Sequence, residues 1–171
     1  MFKTAVVWGA PIGAVVIGIT IASIAAGGAS GGIAEWAGYL VMLLALSLIF
    51  IAVRQHRDRR LGGVIRFWPA FGLGVAIAAV AAVVYTLIWE VYLASTDFAF
   101  MEQYAASVLE AKRADGLDDA ALAIEAAKLD EAINAYKNPA LRLAITFSEI
   151  FPVGMLVALI VAATLRRPKS P

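Results

Sequence analysis

Four long stretches almost free of charge constrain this chain more than any other feature. Ala5 to Ala26, Trp36 to Val53 and Phe67 to Trp89 contain no Asp, Glu, Lys or Arg, and Leu143 to Leu165 contains only Glu149. A helix rises ~1.5 Å per residue, so about 20 apolar residues cross a ~30 Å hydrocarbon core. Backbone polar groups must be satisfied inside lipid, and a helix does this within its own segment. The runs lack the alternation of barrel strands and exceed their length. The expected fold is therefore all-α: an integral membrane four-helix bundle, a single membrane domain over residues 1–171. Its spans lie at about 5–26, 36–53, 67–93 and 143–165. Composition agrees, with 62% hydrophobic and 16% charged residues against about 45–50% and about 25% in soluble domains. Ser23 and Ala25 are small enough for a leader cleavage site. The run before them exceeds the ~7–15 residues of a leader's apolar region, however, so it reads as a span.

Net charge is only +1, which gives no reason to expect a nucleic-acid partner. The placement of the charges is informative. Arg54, Arg57, Arg59, Arg60 and Arg66 crowd the connection between the second and third runs. Short cytoplasmic segments are rich in Lys and Arg. With that connection inside, Lys3 and the tail bases Arg166, Arg167 and Lys169 are inside too. The base-free linker from Gly27 to Glu35 and the net-acidic segment 94–142 are then outside. The five arginines are expected to touch anionic headgroups, a contact that stabilises by ~1 kcal/mol per base. Trp8, Trp36, Trp68 and Trp89 lie near the ends of spans, as interfacial tryptophans do.

Residues Arg59-Arg60-Leu61-Gly62-Gly63-Val64-Ile65-Arg66-Phe67, followed by Ala70-Phe71 and then Gly72 or Gly74, carry a resemblance. Together with Asn138-Pro139, Gly154 and Arg166-Arg167, they resemble the DUF4199 family over about residues 36–167. One departure is Ser95-Thr96-Asp97, where the family often has a proline. The resemblance implies a small bacterial protein of the cell inner membrane with four spans and an outer helical loop. It implies no reaction. Gly62-Gly63 also has a physical reading, since glycine reaches φ > 0 without a Cβ clash and can turn the chain back sharply.

The first span carries small residues at four-residue spacing: Gly9 and Gly13, then Ala14, Gly18, Ala22 and Ala26. The third carries Gly74, Ala78 and Ala82. Such stripes let helices in lipid approach closely, and packing within one chain is the expectation. The second span has no stripe and is expected to face lipid. Pro11 and Pro152 each remove a backbone donor inside a span.

Glu149 is the one intramembrane carboxylate, a functional-site hypothesis by default. Arg142 precedes it by two turns on the same face. Glu90 closes the third span. If the third and fourth spans pack together, Glu149, Arg142 and Glu90 form a polar pocket in the outer leaflet, with Tyr85 or Thr86 as partners of Glu149. Residues 96–138 read as an outer helical hairpin with helical spacing on both sides of Asp115-Gly116. Asp118 is its internal cap, and Asn138-Pro139 its end. The acids of this hairpin lack the spacing of a calcium loop.

No cysteine and a single histidine, His56, leave no thiolate and no histidine cluster, so no metal and no cofactor is expected. His56 reads as a solvated loop residue. Neither a Ser-His-Asp set nor a phosphate-binding glycine loop is evident. The expectation is a non-enzymatic multi-pass protein in contact with the lipid bilayer. It would assemble as a homo-oligomer or with a membrane-protein partner. The alternative is a transporter or channel subunit using Glu149 as a proton or cation site.

Overall fold

A computed structural model describes residues 1–25 and 33–166. The linker glycines 27, 28, 31 and 32, Ala26 of the first stripe, and the tail bases Arg167 and Lys169 lie outside the described residues. Among the described residues there are six helices and no strand: α1 (Phe2–Ala25), α2 (Ile33–Arg60), α3 (Phe67–Ser95), α4 (Ala99–Ala114), α5 (Asp119–Tyr136) and α6 (Pro139–Leu165). By length and composition, four of them (α1, α2, α3 and α6) can cross a membrane.

α3 is the centre of the fold, and small residues explain why. α1 packs on it so closely that a Cβ on Gly9 would lie 2.6 Å from the Ile77 carbonyl oxygen. One on Gly13 would strike the Ala81 carbonyl. On its other side α3 meets α6 through a reciprocal pair. A Cβ on Gly74 would lie 2.7 Å from that of Ala158, and one on Gly154 would lie 2.6 Å from that of Ala78. Both stripes thus pack within one chain, though not on each other: that of α1 meets α3 at Ile77 and Ala81, and that of α3 meets α6, each bringing backbones together as small-residue interfaces do. Gly18 and Gly72 have open space instead. Leu46, Ile49 and Val53 of α2 are fully buried against this core, while Leu40, Leu43 and Leu44 are exposed. α2 therefore adds one face to the core and leaves the other uncovered.

Two findings correct the sequence reading. α2 continues through Arg60, so the basic stretch is mostly helix and the connection shrinks to Leu61–Arg66. Gly62 and Gly63 turn it at φ 63° and 86°. Their strain-free access to this region lets the amides of Leu61 and Gly63 both donate to the Arg57 carbonyl at 3.1 Å. His56 consequently sits on a helix, 7% exposed, with Nδ1 3.1 Å from Thr4 Oγ1. Trp89 is the second correction. It is 8% exposed, beside Ile17 and Leu93, whereas Trp36 and Trp68 are exposed.

Candidate functional site

The polar groups of the long helices collect in two places. The first lies where α3, α5 and α6 converge. Asn138 caps α6, its Oδ1 accepting from the amides of Ala140 and Leu141 at 3.0 and 3.4 Å, and Pro139 occupies the first turn. Asn138-Pro139 is thus a helix start as much as an end, and it sets Arg142 at the beginning of α6. Arg142 Nε and Nη2 donate to the two carboxylate oxygens of Glu90 at 2.7 and 2.6 Å. This bidentate geometry is the strongest that an arginine and a carboxylate make. The remaining Nη1 donates to the Tyr136 carbonyl at 3.2 Å.

Aromatic rings complete the enclosure. The Arg142 guanidinium lies 5.0 Å from the Phe98 ring centroid and 5.9 Å from that of Tyr136, within cation–π range. Phe98 reaches it from a corner where Asp97 and Phe98 have φ of 47° and 61°. That conformation is costly for side chains with a Cβ. Trp89 Nε1 donates to the Tyr136 hydroxyl at 2.9 Å, and that hydroxyl is 3.3 Å from Thr146 Oγ1. The cluster therefore ties α3 to α5 and α6 with its donors and acceptors largely satisfied. Chemically it is a clasp. Sequence reasoning named Arg142 and Glu90, and helical spacing puts Thr146 on the face of Arg142, but nothing in the sequence marked Trp89, Tyr136 or Phe98 as members. The i, i+10 separation of Tyr136 and Thr146 across a helix break offers no periodic signal.

Glu149 does not enter this cluster. It makes no ion pair with Arg142, and the Tyr85 hydroxyl donates to its Oε2 at a long 3.4 Å. Thr86 is not its partner, and the buried Thr86 Oγ1 has no hydrogen-bond partner among the described residues. The Glu149 side chain is exposed on the side of the helical core. Expected to be one pocket, the three residues are thus a closed pair and a separate carboxyl.

The second polar place is the far end, where α1 starts, α2 ends and α6 ends. The five arginines there are not equivalent. Arg57 is 7% exposed; it donates to Asp58 Oδ1 at 2.7 Å and, through Nη1, to the Leu165 carbonyl at 3.4 Å. Arg54 lies 3.7 Å from Asp58. Arg59, Arg60 and Arg66 are exposed and have no ion pair among the described residues.

Four helices long and apolar enough for a membrane, clasped at one end and basic at the other, point to a membrane protein. More narrowly, the chain belongs to a family described as "protein of unknown function (DUF4199)", whose model matches residues 7–167. The match extends beyond the expected 36–167 to take in most of the first long helix. No curated protein and no solved structure matches the chain.

Proposed function

We propose that this chain is a non-enzymatic multi-pass membrane protein that assembles with itself or with another membrane protein through the face carrying Glu149. Both termini and the Leu61–Arg66 turn are cytoplasmic in this reading, and α4 and α5 form an outer hairpin. The bias of short basic segments supports this orientation. One observation carries the assembly reading: Glu149 is exposed, is the one charge in the stretch Leu143–Leu165, and holds only a long hydrogen bond from Tyr85. A charged carboxylate in that position costs about 2.5–3.5 kcal/mol near the bilayer centre and somewhat less toward the surface. A second helix presenting a donor removes most of that cost, as polar side chains do between spans.

The test is native mass spectrometry of the full chain extracted gently from its own membrane. The expected result is a second polypeptide, identical or different, at fixed stoichiometry, lost in Glu149→Leu. A monomer carrying only lipid refutes the assembly reading. The exposed carboxyl equally suits a transporter or channel subunit that uses Glu149 as a proton or cation site. Proton flux into liposomes holding the purified chain, abolished by Glu149→Gln, would favour that reading.

A further inference from the structure

We propose that the α1–α2 face is a specific site for one anionic phospholipid, with its phosphate at Lys3, Arg59 and Arg60 and an acyl chain along α1. The proposal rests on the membrane placement above and not on the Glu149 interface.

Two adjoining hollows lie between the start of α1 and the end of α2. The first, about 230 Å³, is lined by Lys3, Thr4, Gln55, His56, Arg59 and Arg60. The second, about 510 Å³, is lined by apolar side chains, among them Ile12, Val15, Ile19, Leu44 and Leu48. Val7 and Trp8 line both, so the two hollows form one groove, polar at one end and greasy along the rest. The chain's own packing explains why it is open. α1 gives its glycine stripe to α3, and α2, lacking such a stripe, stands off from α1. Pro11, with no β-branched bulk, lines the gap.

Charge and length decide the occupant. Lys3, Arg59 and Arg60 are exposed, no acid lines the hollow, and none of the three bases is in an ion pair among the described residues. They therefore present concentrated positive charge with nothing spent on the fold. Thr4 and Gln55 add neutral polar groups beside them. Basic hollows between spans on the cytoplasmic side suit phosphate headgroups. From Trp8 to Ile19 the groove runs 11 residues, about 17 Å along the helix. That is close to half of a ~30 Å hydrocarbon core, the depth of one leaflet. A soluble phosphate compound would use only the polar end. A partner helix would gain nothing from three uncompensated bases. A phospholipid matches both ends.

His56 and Arg57 show that the arrangement is built. Through Thr4, His56 fixes the first turn of α1 against α2, and Arg57 turns inward to α6. Arg59 and Arg60 are left facing outward beside Lys3.

The test uses the purified full chain in detergent, titrated with phosphatidylglycerol, with phosphatidylcholine of the same acyl chains, and with glycerol phosphate. Bound adducts are read by native mass spectrometry. One phosphatidylglycerol is expected per chain, held at least about tenfold more tightly than phosphatidylcholine, with no competition from glycerol phosphate at equal concentration. The triple variant Lys3→Gln, Arg59→Gln, Arg60→Gln loses that preference. Arg54→Gln with Arg66→Gln, which removes two bases outside the hollow, keeps it. Val15→Trp fills the groove from an exposed position and weakens retention of both lipids. Equal retention of the two lipids, or loss of preference in both charge variants alike, overturns the site in favour of diffuse attraction. Competition by glycerol phosphate makes it a site for a soluble phosphate and also overturns the proposal. So does a second polypeptide found on this face.

Discussion

The two polar ends of this molecule treat charge in opposite ways. At the α5 end, each of the three Arg142 side-chain nitrogens donates, to the two oxygens of Glu90 and to the Tyr136 carbonyl, beneath the Phe98 ring. At the α2 end, Arg59 and Arg60 spend none among the described residues. The first arrangement is what a fold requires when charges leave water, since a buried charge is tolerated only when paired and hydrogen-bonded. The second does nothing for the fold, so its charges are available to something outside it. The difference separates residues that hold helices together from residues that address a surrounding phase, although both groups are arginines beside apolar helices.

Breaking the closed end has the largest expected effect. Arg142→Ala leaves Glu90, whose side chain is 23% exposed, without its partner. Removing one member of a buried pair costs about 3–5 kcal/mol, and partial access of water to Glu90 puts the expectation near the low end. The readout is the thermal midpoint of the purified chain in detergent, compared with the double replacement Arg142→Met, Glu90→Leu. The double variant should recover most of the loss. If it is as unstable as Arg142→Ala, the cluster is held by its aromatic packing and not by the ion pair.

The open end has one exception, which sharpens the contrast. Arg57 is buried and reaches the Leu165 carbonyl across to α6. Arg57→Ala should lower stability by about 1–2 kcal/mol, because a carbonyl at a helix end loses its charged donor. Arg59→Ala should change stability by less than about 0.5 kcal/mol, as surface substitutions do. Equal losses in the two variants, read by the same thermal midpoint, would erase the distinction between fold-holding and outward-facing arginines.

How far the sequence foretold this molecule depends on the kind of signal. The long helices were legible because apolar length is a local property that any span must display. The α1–α3 and α3–α6 contacts were legible in kind, since Gly9, Gly13 and Gly74 leave room that a closely approaching helix fills. The end of α2 was not legible. Helix formation depends on the backbone, and Arg54-Gln55-His56-Arg57 continue a helix whose apolar stripe has ended, because α1 and α6 still cover one of its faces. Trp89 was misplaced for a related reason. Its position near a span end resembles an interfacial residue, but α4 and α5 fold back and cover it with Phe100 and Tyr136. Pairings such as Arg142 with Glu90 could be guessed from shared depth. The separation of Glu149 from them depends on which way α6 is rotated, and no single-helix pattern specifies that.

The smallest effect belongs to α4 and α5, and it tests whether charge there behaves like the closed end or the open one. Lys112 of α4 pairs with Glu125 of α5, and Lys128 donates to the same carboxylate at 2.9 Å. Hydrogen bonds from Lys112, then from Lys128, draw the Glu125 carboxyl down to about 2 from its ordinary 4.5. A depressed folded-state value means the unfolded chain binds the proton more readily. The contribution of this pair is therefore complete above pH about 4.5 and fades as pH falls toward about 2. The side chains are partly open to water, at 38% and 24% exposure, so salt and solvent screen the pair. Glu125→Gln should cost little at pH 7, less at pH 3, and nothing only once pH falls below about 2, as read by hydrogen exchange of the α4 and α5 amides. A loss that persists unchanged at pH 3 would mean that Glu125 contributes through packing between the two helices and not through its charge.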